Sequence, residues 1–178
     1  MLDRDKMNCM TLIAGKKASA TGRVLVAHNE DDGGYVVVRH GWVPAQDWAA
    51  GSVMPAEEGC AEIPQVSHTL GYYWTEYRKD TCGLTTADGF VNERGVVIVS
   101  NSMGTSRESM ENADCVKDGG IGYNLRRALA ERAGSAREGA RILMELIDEW
   151  GYAPSGRAYT IADKDEAFMF QLVRGRHY

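Results

Sequence analysis

This 178-residue sequence predicts an α+β domain with a largely antiparallel sheet and a helix pair on one face, and three observations carry that reading. β-Branched runs separated by turn-rich connections crowd the first hundred residues. Two stretches of helical period follow one another between residues 119 and 150. Strand-like runs then return from Arg157 onward. Strands, then helices, then strands is the order expected when helices segregate to one face of an antiparallel sheet.

The elements follow in chain order. "MTLIAG" (Met10–Gly15), "RVLVAH" (Arg23–His28) and "YVVVRH" (Tyr35–His40) read as strands, with "KKASATG" and "NEDDGG" supplying turn residues between them. Residues 41–65, which hold three of the four prolines, show neither period and read as a long irregular excursion. "DGFVNERGVVIVSNSM" (Asp88–Met103) predicts a hairpin turning at Asn92-Glu93-Arg94-Gly95. "GGIGYNLRRALAERAG" (Gly119–Gly134) predicts a helix with Ile121, Leu125 and Leu129 on one face. Ser135, with Glu138 three residues on, is a capping-box pattern that opens a second helix. There Leu143, Leu146, Ile147 and Trp150 recur at helical spacing, and Gly151 stops it. "RAYTIAD" and "EAFMFQLV", joined by "KDE", close the pattern as two strands. No internal repeat interrupts it.

Composition excludes several function classes. With 44% apolar and 25% charged residues the chain is an ordinary globular sequence. A formal net charge of −5 and the lack of any basic block argue against nucleic acid as a partner. No apolar run approaches the roughly 20 residues that cross a bilayer, so no membrane partner is expected. The opening "MLDRDKMNCMTLIAG" has too short an apolar segment for a secretory signal, which needs about 7–15 such residues, so the expected compartment is the cytoplasm. Cys9, Cys60, Cys82 and Cys115 form no C-x-x-C pair, and His40 and His68 have no ligand-spaced partner. Neither a metal nor a cofactor is expected.

Chemistry concentrates near the start. Cysteine is the easiest nucleophile to activate, because its thiol titrates near pH 8.5. A cysteine that becomes residue one also owns an α-amine with a pKa of about 7.7–8.0, able to act as its base. Cys9 can fill that role only once Met1 to Asn8 are removed; a buried structural cysteine is the competing reading. The polar knot His28-Asn29-Glu30-Asp31-Asp32 bears on the choice. If the strands from Cys9 and Arg23 pair in antiparallel fashion, the knot returns beside Cys9. A carboxylate there would hold the amine, and His28 or Asn29 could donate hydrogen bonds to substrate. A solvated hairpin end would carry the same residues. Asn101, at the end of a strand, is a candidate oxyanion donor, or else an Asn that starts a turn. "GGIG" before a helix is a weak phosphate-cradle signal, lacking the strand and lysine of a P-loop.

The stretch "NCMTLIAGKKASATGRVLVAHNEDDGG", followed in order by "FVNERGVVIVSN", "DGGIGYNLRRALAERAGSAREGARILMELIDEWGYAPSGRAYTIAD" and "EAFMFQLVRGRHY", resembles the N-terminal-nucleophile (Ntn) cysteine dipeptidases, the family of bacterial dipeptidase A and the secernins. The resemblance runs from Cys9 through nearly all of the chain. It implies an Ntn-hydrolase αββα sandwich, here incomplete, and hydrolysis of dipeptides through an acyl-enzyme on Cys9. It further implies a leader over residues 1–8 that is removed, with residues 9–178 forming the N-terminal portion of the peptidase domain. Asp31 matches the family's acidic partner of the α-amine, and Asn101 or Ser102 falls where relatives place an oxyanion-side group; the partner implied is a small peptide substrate. The chain departs from the pattern at His28, where many relatives carry Arg, and at Met10, where a small hydroxyl residue is usual. The alternative function is a truncated, non-catalytic assembly or binding module. Its incomplete sandwich would expose apolar faces and favour a homo-oligomer or another partner.

Overall fold

The computed structural model describes residues 9–30, 36–55, 57–79, 85–104, 107–111 and 115–178. Six strands build the main sheet: β3 (Val36–Val43), β6 (Tyr72–Lys79), β7 (Thr85–Asn92), β8 (Val97–Ser102), β9 (Tyr152–Ala162) and β10 (Ala167–Gly175). Their spatial order is β10-β9-β8-β7-β6-β3, with antiparallel neighbours throughout. β1 (Met10–Ala14) and β2 (Leu25–Asn29) pair separately as a two-stranded ribbon. β4 (Gln46–Asp47) and β5 (His68–Thr69) form a minimal pair at the two sides of the irregular excursion. A short helix, α1 (Arg107–Glu111), precedes α2 (Asn124–Arg132) and α3 (Ala136–Trp150). The α+β class, the antiparallel sheet and the helix pair are as the sequence predicts.

The pleat of β8 decides what lies on each side of the sheet, because successive side chains point to opposite faces. Ile98 is buried in the core, and Ser100 Oγ lies 3.4 Å from the guanidinium of Arg126 on α2. Those two residues therefore face the helices. Asn101 points the other way, and its side chain meets Thr11 of the ribbon. The molecule thus has a helix layer, a six-stranded sheet, and the β1–β2 ribbon on the opposite face. The ribbon is fastened at both ends. Near β8 the Thr11–Asn101 bond holds it; at the other end Val24 N–H donates to Lys164 O at 3.0 Å, and Lys16 pairs with Asp165 at 2.6 Å.

The core lies between helices and sheet. Leu125, Ala128 and Leu129 of α2 and Leu143 and Ile147 of α3 are fully buried with Phe90, Ile98, Tyr159 and Ile161 of the strands beneath. Burying each large aliphatic side chain contributes about 1.5–3 kcal/mol. Ser135 caps α3 by accepting from Glu138 N–H at 3.1 Å, and Gly151 N–H closes its last turn on Ile147 O.

Several boundaries differ from the sequence reading. Helix α2 starts at Asn124 rather than within Gly119–Gly122, because Asp118, Gly119 and Gly120 all take positive φ, a conformation that cannot continue a right-handed helix. Ile121 is buried but sits ahead of the helix, bridged to Tyr152. "YAPSG" belongs to β9, and β3 runs on to Val43. β6 is a full eight-residue strand that the sequence reading passes over.

Candidate active site

The ribbon register places the site. Met10 pairs with Asn29, Thr11 with His28 and Ile13 with Val26. Cross-strand partners share a face, so Thr11, Ile13, Val26 and His28 turn toward the main sheet, and Met10, Leu12, Leu25 and Asn29 turn outward. Exposure agrees: Met10, Leu12 and Leu25 are 55%, 60% and 50% exposed, whereas the inward residues are partly buried. Cys9, immediately before β1 and itself half-buried, shares the parity of Thr11 and lies roughly 7 Å from it along the strand.

A polar chain runs across this inner face. Thr11 Oγ1 donates to Asn101 Oδ1 at 2.6 Å and lies 2.9 Å from His28 Nδ1. His28 Nε2 in turn faces Glu30 Oε2 at 3.3 Å, with the His28 side chain only 11% exposed. Thr11 has a single proton, committed to Asn101, so Nδ1 of His28 is the donor in the Thr11–His28 bond. The ends of β1, β2 and β8 thus bring a thiol, a hydroxyl, an imidazole, a carboxylate and an amide to one end of the ribbon. Such a set can supply a nucleophile, oriented hydrogen-bond donors and a charge to hold an amine.

The glycine-rich approach to α2 has a different occupant from a phosphate. Tyr123, the residue ahead of α2, provides no side-chain cap. The carboxylate of Glu57, from the irregular excursion, faces the Tyr123 and Asn124 N–H groups instead. It lies so close over Gly122 that a Cβ there would collide with Oε2, and Cys60 Sγ would be 3.1 Å from that Cβ. Burial pushes the Glu57 carboxyl above its usual range, against the backbone N–H groups and the Arg126 charge that pull it down. Burial also raises the Cys60 thiol, with the Glu57 charge adding to the effect. A protein carboxylate occupies the helix terminus, so the phosphate-cradle expectation does not hold.

Comparison with known proteins gives these features a family. The profile of Peptidase family C69 matches residues 8–178. The chain belongs to peptidase family C69. The C69 chain is 27% identical over 178 residues to a protein named probable dipeptidase B from Lactococcus lactis subsp. lactis (strain IL1403), covering 99% of this chain and 37% of that relative. It is 27% identical over 183 residues to dipeptidase A of Lactobacillus helveticus, covering 96% of this chain and 37% of the relative. A probable dipeptidase of Latilactobacillus sakei is 22% identical over 180 residues, with 100% and 38% covered. The chain therefore spans little more than a third of the length of these curated relatives.

Of the residues singled out from the sequence of the C69 chain, Cys9, His28 and Asn101 gather at one end of the ribbon. The Asn29 side chain lies on the outer face, away from them, and Asp31 lies outside the described residues. Thr11 and Glu30 join the cluster without having been singled out. Strand parity would have found both, since Thr11 is two residues from Cys9 and Glu30 two from His28. Met10, standing where the family resemblance implies a small hydroxyl residue, is on the outer face, so the inward hydroxyl is that of Thr11.

Proposed function

We propose that this chain carries the nucleophile half of a cysteine dipeptidase whose Cys9, freed as the N-terminal residue, attacks the carbonyl of a dipeptide bond. Membership of peptidase family C69 supports the reaction class, and the polar chain on the Cys9 face of the ribbon is the observation that carries the residue assignment. The Cys9 α-amine takes the thiol proton as the C–S bond forms. Asn101 donates to the resulting oxyanion, and the same amine returns the proton to the leaving amino group as the C–N bond breaks. Water then hydrolyses the thioester. Asp31 holds the amine, and His28 lies at the substrate-binding end; the Asn29 side chain, on the outer face of the ribbon, takes no part there. On this reading the ribbon is the beginning of the second sheet of an αββα Ntn sandwich, and the polypeptide that completes it lies in the part of the relatives' length this chain does not span.

The test is hydrolysis of a dipeptide panel by wild type, Cys9→Ala and Cys9→Ser. Cys9→Ala abolishes hydrolysis, and Cys9→Ser leaves a slower enzyme because a hydroxyl is harder to ionise. Full activity in Cys9→Ala ends this reading. A second reading, a non-catalytic assembly module, draws on the exposed apolar outer face of Met10, Leu12 and Leu25; oligomers inert toward the whole panel would favour it.

A further inference from the structure

Asn101 is the one member of the polar chain that could touch an oxyanion, and it can do so in only one of its two amide orientations. With Nδ2 toward the substrate it donates; with Oδ1 there it repels. An asparagine amide is otherwise free to present either group. Here Oδ1 accepts the Thr11 hydroxyl at 2.6 Å, and that hydroxyl has no second proton to give. The His28 Nδ1 donor, 2.9 Å from Thr11 Oγ1, keeps the hydroxyl aimed at Asn101 by occupying its acceptor side. Holding the oxygen turns the –NH2 group away from Thr11, and Nδ2 donates to no other group among the described residues.

We propose that Thr11 is a positioning residue for catalysis: its hydroxyl sets the flip of the Asn101 amide so that Nδ2–H faces the carbonyl attacked by Cys9. The proposal rests on the dipeptidase reading. A hydroxyl that merely ties the ribbon to the sheet would predict different behaviour. Its loss would lower thermal stability as far as Asn101→Ala does, would raise KM along with lowering kcat, and would not be made good in kcat at unchanged stability by Thr11→Ser.

The experiment combines a mutant cycle with a spectroscopic readout in the full chain. Dipeptide kinetics are measured for Thr11→Val, Thr11→Ser, Asn101→Ala and the Thr11→Val/Asn101→Ala pair, with folding checked by thermal melting. Thr11→Val, which matches threonine in shape but has no hydroxyl, is expected to lower kcat by about 10²-fold, the scale of losing one oxyanion donor, with KM within about twofold. Thr11→Ser restores kcat to within a few-fold, and Thr11→Val costs nothing further once Asn101 is alanine. In ¹⁵N-labelled protein the Asn101 side-chain –NH2 pair shifts in Thr11→Val and holds its place in Thr11→Ser. Independent, multiplying effects of the two substitutions would overturn the proposal, as would an Asn101 –NH2 signal indifferent to Thr11→Val. Absence of dipeptide hydrolysis by wild type would instead remove the dipeptidase reading and catalysis with it. The amide signal would then still decide whether Thr11 sets the flip.

Discussion

Glu57 shows how much one side chain can settle that its own neighbourhood in the sequence does not announce. It stands 65 residues ahead of Gly122, yet its carboxylate lies against the start of α2 and leaves no room for a side chain at residue 122. Gly122→Ala is expected to destabilise the protein by about 1–3 kcal/mol, because the new methyl must displace a carboxylate held by the helix terminus. Urea unfolding measures it, with Gly41→Ala, where a Cβ meets nothing within 4 Å, as a control expected within about 0.5 kcal/mol of wild type. Legibility at this scale is uneven for a physical reason. Cys9, His28 and Asn101 could be singled out because each residue type carries its own chemistry and each sits at the end of a recognisable strand. Thr11 could not, because a threonine in a strand is ordinary until a second strand from 90 residues away places an amide against it. Asn29, singled out, turns outward and Glu30, not singled out, turns inward, through strand parity alone.

At the scale of elements, signals that act over a few residues were readable and those acting across the sheet were not. The Ser135 cap and the Gly151 stop of α3 lie where the sequence puts them, although Glu138 Oε2 accepts from Gly134 N–H at 2.9 Å, one residue ahead of the usual reciprocal bond of a capping box. Ser135→Ala should cost about 1 kcal/mol in urea unfolding. Leu143→Ala, in the fully buried face of the same helix, should cost about 2–5 kcal/mol. Comparable losses from the two would contradict the packing described. β6 was illegible because its aromatic residues occupy both faces. Tyr72 is buried under the helices, whereas Tyr73 is 39% exposed on the other side, so no alternation marks the strand. The start of α2 is hidden by the same kind of long-range cause: Gly120 O accepts from Ala61 N–H, Ile121 N–H donates to Gly151 O, and Gly119 packs against Gly59 and Cys60, none of which a helical period can reveal.

For the whole molecule, the question is how the ribbon stays on the sheet. Its far end depends on carboxylates of the β9–β10 turn. Hydrogen bonds from Lys16 and Lys164 hold the Asp165 carboxyl down at about 2. Asp163 is also depressed: burial acts to raise it, but N–H groups of Ala136, Asp165 and Glu166 outweigh that effect. A carboxyl depressed in the folded state contributes stability that is present above the unfolded value near 3.9 and lost as pH falls through the folded value. Stability should therefore decline from about pH 4 toward pH 2. Asp163→Asn should be less stable than wild type at neutral pH and converge with it at the acid end, as followed by urea unfolding at a series of pH values. A constant difference across that range would mean that Asp163 acts through shape and not charge. No helix among the described residues is long and apolar enough to cross a membrane. Part of the exposed apolar surface, Met10, Leu12 and Leu25, lies on the outer face of the ribbon, which in the Ntn reading faces the second helix layer.

The central claim is that Cys9 works as an N-terminal nucleophile, and the intact mass of the purified protein tests it most directly, taken before and after reaction with a thiol-directed label and beside the Cys9→Ala variant. An N-terminal nucleophile at Cys9 predicts a dipeptide-hydrolysing protein that has lost Met1 to Asn8, with the label on Cys9 extinguishing activity. A protein that hydrolyses dipeptides while retaining residues 1–8, or while Cys9 is labelled, would contradict it.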